Sequence, residues 1–132
     1  MKLAIYVNYR GNCEEAFRFY EEHLGAKLDG VIRRHGDFPG SNVPADWGSK
    51  VVHARLEIGP TVLMGADIPN AEPMRSSYLT LFLDSEGEAE RVYAVLVEAG
   101  DVFMELQTTP FANRFAMLRD RFGASWMLLH QP

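Results

Sequence analysis

AFRFY (residues 16–20) returns as AERVY (residues 89–93), and that recurrence decides how the chain is read. Ala16, Arg18 and Tyr20 match Ala89, Arg91 and Tyr93 at an offset of 73. Upstream of the first copy, KLAIYVNY (2–9) is β-branched and aromatic, the composition of a strand. Gly11 breaks it, Asn12 is placed as an N-cap, and Glu14 and Glu15 suit the positive end of a helix dipole. Cys13, Ala16, Phe17, Tyr20 and Leu24 follow at helical spacing, and Gly25 is the expected stop. Downstream, AKLDGVIRRH (26–35) reads as a second strand and residues 36–48 as a long loop rich in glycine and proline. KVVHARLEI (50–58), Gly59-Pro60 and TVLMG (61–65) then read as a hairpin.

Around the second copy the same order recurs. SSYLTLFLD (76–84) reads as a strand, and Asp84 or Ser85 caps a helix that buries Ala89, Val92, Tyr93 and Leu96 and ends at Gly100. DVFMELQ (101–107) is a strand, TTPFANR (108–114) a loop, and FAMLRDRFGASWMLLH (115–130) a second hairpin. Arg55, Gly59 and the apolar run behind them match Arg119, Gly123 and theirs at an offset of 64. Two βαβββ modules in one duplicated chain are expected, an α+β architecture.

Composition excludes several functions. The chain has 132 residues, a size usual for one domain, and its 47% hydrophobic content suffices for an ordinary core. A net charge of −5 with no basic run argues against nucleic acid, and no stretch is long enough to span a membrane. The N-terminus lacks a signal-peptide pattern, and a single cysteine, Cys13, forbids an internal disulfide, so a cytoplasmic protein is expected. There is no P-loop, dinucleotide-binding glycine turn, nucleophile elbow or H-E-x-x-H pair.

The paired modules resemble the vicinal oxygen chelate superfamily of glyoxalases, bleomycin-resistance proteins and extradiol dioxygenases. YVNYRGNCEEAFRFYEEHLGAKL, VVHARLEIG, SSYLTLFLD and DRFGASWMLL are similar to its PhnB-like branch. The resemblance implies curved mixed sheets around a cavity, in one domain over residues 1–132, with module one at about 1–66 and module two at about 76–132. It also implies metal ligands on the first and last strands of each module. Those positions fall at Ile5, Leu63, Tyr78 and Met127. Shifting each by one residue gives Tyr6, Val62, Leu79 and Trp126. Neither set offers the imidazole, carboxylate or thiolate donors a divalent ion needs, so no metal and no cofactor are expected.

The resemblance leads to a ligand pocket lined by Tyr9, Leu63, Thr80, Phe82 and Met127, with Trp47 as a lid or a dimer contact. Trp126 is expected to point away from it, its indole N–H partnered at a module or subunit boundary. His53, Glu57 and Tyr78 are the candidate catalytic groups. His53, Arg55 and Glu57 share one strand face, either as a substrate clamp or as a solvent-facing polar row. His53 and Glu57 lie about 13 Å apart along the strand, too far for one ion. The expected protein binds a small molecule and forms a homodimer. The alternative is a lyase, isomerase or dioxygenase, with or without a metal.

Overall fold

In α1 (Cys13–Leu24), the residues that a helix brings to one side, Cys13, Ala16, Phe17 and Tyr20, are all buried. The computed structural model describes residues 1–132, which divide into two compact units, residues 1–72 and 73–132. In the first unit, β1 (Ile5–Tyr9) precedes α1, and two short strands, β2 (Lys27–Leu28) and β3 (Arg33–Arg34), follow it. The single second strand expected from the sequence is thus split, with Gly30 in the left-handed conformation between the halves. β4 (Val51–Ile58) and β5 (Thr61–Asp67) close the unit as a hairpin. β1 pairs in parallel with β5, β5 pairs antiparallel with β4, and β2 and β3 flank the other edge of β4.

The second unit repeats this plan. β6 (Leu79–Phe82), α2 (Glu86–Val97), β7 (Asp101–Thr109), β8 (Ala112–Arg119) and β9 (Ser125–His130) form a sheet of order β6-β9-β8-β7, with β6 and β9 parallel. β7 runs through Thr109, so most of the expected 108–114 loop is strand and only Pro110 and Phe111 turn the chain. Both sheets are mixed and open.

The helix ends show what the sequence could and could not signal. Ser85 caps α2, its hydroxyl accepting from the Glu88 N–H at 3.0 Å. Ala99, not Gly100, takes the left-handed turn after α2. Gly100 is needed because a Cβ there would lie 2.4 Å from the Arg119 carbonyl oxygen. Asn12 occupies the N-cap position of α1, yet its side chain makes no cap bond and its Oδ1 is buried without a partner. Asp67, from the end of β5, does the capping. Its Oδ1 accepts from the N–H groups of Gly11 (3.0 Å) and Cys13 (2.9 Å), and its Oδ2 from that of Val51 (2.9 Å). One buried carboxylate therefore ties the helix start to two strands.

Each helix covers one face of its own sheet. Under α1 lie Val7, Tyr9, Ala54, Leu56, Leu63 and Gly65, all buried. Gly65 is required by this contact, since a Cβ there would meet the Phe17 ring at 2.8 Å and the Cys13 sulfur at 3.1 Å. Under α2 lie Leu79, Ala116, Leu118, Trp126 and Leu128. The opposite faces of the two sheets carry the exposed and half-exposed side chains where a ligand has access.

Candidate functional site

Strand alternation fixes which side chains reach the open face of the first sheet. Ala54 and Leu56 point to α1, so His53, Arg55 and Glu57 point away from it. By the register of β1, β5 and β4, Tyr6, Met64 and Arg55 form one row across that face. Asn8 and Ala66 form the next row, alongside His53. The Tyr6 ring meets that of His53 across this face. The rings stack at a centroid distance of 5.8 Å and 27°, and the Tyr6 hydroxyl is 3.3 Å from His53 Nδ1. Desolvation raises the Tyr6 phenol above its ordinary pKa, with a smaller contribution from the Cys13 thiol. Tyr6 therefore stays a neutral hydroxyl at physiological pH, able to donate to the imidazole.

The other charges on this face are partly neutralised. Arg55 Nε donates to Asp29 at 3.1 Å, an exposed ion pair of the kind that contributes little stability. Glu57 lies opposite Lys27 at the far end of β4, exposed and two residues beyond Arg55. The structure thus brings Tyr6, not Glu57, to His53. In the sequence, Tyr6 is marked only by the one-residue shift of the implied metal positions.

Two of the expected pocket residues lie on the wrong face. Tyr9 is buried under α1, its hydroxyl 3.4 Å from that of Tyr20 and its ring edge-on to Phe17. Leu63 is likewise buried on the α1 side, paired with Ile5. Both are core residues. The cause is a change of parity. Three residues separate Tyr9 from α1, whereas two separate buried Leu83 from α2. A constant offset carried across that extra residue exchanges the two faces of the strand.

In the second unit, Thr80, Phe82 and Met127 do lie on the open face. Thr80 pairs with Met127 and Phe82 with Leu129, opposite the buried Leu79, Trp126 and Leu128. Tyr78 precedes β6 and meets Phe103 edge-on at 6.5 Å. Trp126 Nε1 donates to Asp120 Oδ2 at 2.8 Å, so its partner is inside its own hairpin rather than at a boundary. Asp120 also accepts from the N–H groups of Phe122 and Ala124 and shapes the turn between β8 and β9.

Trp47 folds back onto the first unit. Its ring lies beside Gly11, which a Cβ would bring within 3.5 Å, and 6.4 Å from the ring of His35. His35 is itself buried, its Nε2 2.8 Å from the Asp67 carbonyl oxygen and its Nδ1 against the Ser41 hydroxyl. This network pins the 36–48 loop. A cleft of about 360 Å³ opens beside it at the start of α1, lined by Glu14, Arg34, Lys50 and Asp67 among others. Arg34 and Glu14 satisfy one another at 2.8 Å, and Asp67 is committed to backbone N–H groups, so these groups serve the fold. Arg34's hydrogen bond holds the Glu14 carboxyl below its ordinary pKa against a smaller desolvation effect. Cys13 is buried, and burial first, then the Asp67 and Glu14 carboxylates, push its thiol far above the usual range. It is not a nucleophile.

The metal positions implied by the resemblance hold no matching donors. Ile5 and Leu63 have none, Tyr78 offers a phenol and Met127 a soft thioether. No group of three His, Cys, Asp or Glu side chains able to hold a metal ion is found in the structure. No helix is long and apolar enough to cross a membrane.

Comparison with known proteins agrees with this architecture. The Glyoxalase/Bleomycin resistance protein/Dioxygenase superfamily model matches residues 2–128. Protein YjdN of Escherichia coli K12 is 31% identical over 140 residues, covering 97% of this chain and 94% of that protein. The crystal structure of protein PA1353 from Pseudomonas aeruginosa superposes with a TM-score of 0.86 at 40% identity, covering 99% and 98% of the two chains. The PhnB protein of Bacillus cereus gives 0.81 at 25% identity, covering 98% and 99%.

Proposed function

This chain belongs to the Glyoxalase/Bleomycin resistance protein/Dioxygenase superfamily, and we propose that it binds a small molecule on its open sheet faces without the superfamily's usual metal site. The observation that carries this reading is the donor set: of the positions implied for ligands, Ile5 and Leu63 face α1 and carry no donor, Tyr78 and Met127 offer only a phenol and a thioether, and no trio of acidic, histidine or cysteine side chains replaces them. On the open face of the second sheet, Thr80, Phe82, Met127 and Leu129 form a patch that is apolar but for one hydroxyl, which suits a small organic ligand. The test is elemental analysis and native mass spectrometry of protein purified without chelator. The expected result is no stoichiometric metal after incubation with zinc, nickel, manganese or iron(II), and a co-purifying small molecule. One tightly held ion per chain overturns the reading.

The Tyr6–His53 contact supports a second reading, a metal-free lyase or isomerase using that pair as acid and base. Turnover abolished by His53→Gln would establish it. We also propose a homodimer. β7 is an outer edge strand along which Val102, Phe103 and Met104 are exposed, a surface that favours pairing with a second copy. Sedimentation velocity of the wild type and of a Phe103→Lys variant tests this, and a monomeric wild type refutes it.

A further inference from the structure

We infer that the open face of the first sheet holds a ligand bearing an oxyanion on a planar ring, gripped by Arg33, His53 and Tyr6. This rests on the small-molecule reading above and adds the chemical class. Arg33 and His53 are direct cross-strand partners between β3 and β4. The two arginines of β3 diverge. Arg34 reaches the α1 side, where it meets Glu14 and the Ser49 carbonyl oxygen, so Arg33 projects to the opposite face beside His53. Directly opposite residues on one face lie roughly 5 Å apart, within reach of one small ligand.

Charge sets Arg33 apart from its neighbours. Of the four arginines on α1, β3 and β4, Arg18, Arg34 and Arg55 each face a carboxylate, whereas the exposed Arg33 has no ion-pair partner. A guanidinium left open beside a histidine and a phenol matches the geometry of a carboxylate, which it binds through two parallel N–H groups. Tyr6 adds direction. When its O–H donates to Nδ1, the neutral imidazole carries its proton on Nε2 and offers a second donor to the anion. Tyr6 is also 47% exposed and stacked on His53, which leaves an aromatic surface for the ligand's ring. On the open face of the second sheet the arginine of β8, Arg119, is already paired with Asp101 at 3.3 Å.

The experiment titrates the protein with benzoate and with benzamide, its uncharged isostere, and follows the His53 ring resonances by NMR. Benzoate is expected to shift them and to bind about tenfold more tightly than benzamide, since one charge-assisted pair separates the two probes. Arg33→Gln, an exposed substitution that leaves the core untouched, is expected to erase that preference. Tyr6→Phe is expected to weaken both probes and to move the His53 resonances in the free protein. Equal binding of the two probes at His53 overturns the oxyanion assignment while leaving the small-molecule reading standing. So does a benzoate preference that survives Arg33→Gln. Absence of any benzoate effect at His53 overturns the assignment as well. The elemental analysis and native mass spectrometry, by contrast, decide the small-molecule reading independently.

Discussion

Replacing Asp67 by alanine tests whether one carboxylate organises the first unit. Asp67 is 1% exposed and accepts three backbone hydrogen bonds, from Gly11, Cys13 and Val51. Hydrogen bonds to a charged group contribute about 1.5–3 kcal/mol each, and a buried donor left unpaired costs about 1–3 kcal/mol. The Gly11 N–H is only partly buried and regains water, whereas those of Cys13 and Val51 do not. Removing a desolvated carboxylate offsets part of the loss. We expect a net destabilisation of about 3–5 kcal/mol, at the top of the range for single substitutions. For a chain of this length that is a drop of roughly 10–20 °C in Tm. Asp67→Asn retains one acceptor but turns an amide N–H toward a donor, and is expected to lose about 2–3 kcal/mol. Urea unfolding followed by circular dichroism measures both variants. Hydrogen exchange should show protection lost first at the Cys13 and Val51 amides. An Asp67→Ala variant within about 1 kcal/mol of wild type, or with both amides still protected, refutes the reasoning.

Three further outcomes follow from the same packing. The Cys13 thiol is buried with its pKa raised, so native protein at pH 8 should be inert to an aromatic disulfide reagent that labels the urea-unfolded chain at once; rapid native labelling contradicts the structure. The folded-state pKa of Glu14 is depressed, chiefly by the hydrogen bond from Arg34, so its contribution to stability is present above the unfolded value of about 4.3 and is lost as pH falls through the folded one. Glu14→Gln should therefore be less stable than wild type at pH 7, with the gap closing in acid; a gap that persists at pH 2 argues against the pair. Gly65→Ala places a methyl against Phe17 and Cys13 and should cost about 1–3 kcal/mol in urea unfolding, whereas an unchanged midpoint would show that α1 stands further from the sheet.

How much of this was legible in the sequence depends on the range of the signal. The helices were, because 3.6-residue periodicity is local: Cys13, Ala16, Phe17 and Tyr20 declare their common face without reference to the rest of the chain. That Trp126 and Met127 lie on opposite faces is legible for the same reason, since adjacent strand residues must diverge. The capping role of Asp67 was not legible, because its partners Gly11 and Cys13 lie 56 and 54 residues away and only the parallel pairing of β1 with β5 brings them to it. Nor was the face of β5. Matching Gly59 to Gly123 equates a two-residue turn, closed by the Ile58–Thr61 pair, with a five-residue turn closed by Arg119 and Ser125. A glycine marks where a chain turns, but the number of residues in the turn decides which side chains emerge on which face. The difference here is odd, so a register copied from one hairpin to the other inverts the strand. That inversion sends Leu63 to the pocket, as the extra residue before α1 sends Tyr9 there and hides Tyr6. Duplicated modules therefore transmit their topology through sequence offsets, while their binding surfaces have to be read from each strand's own alternation.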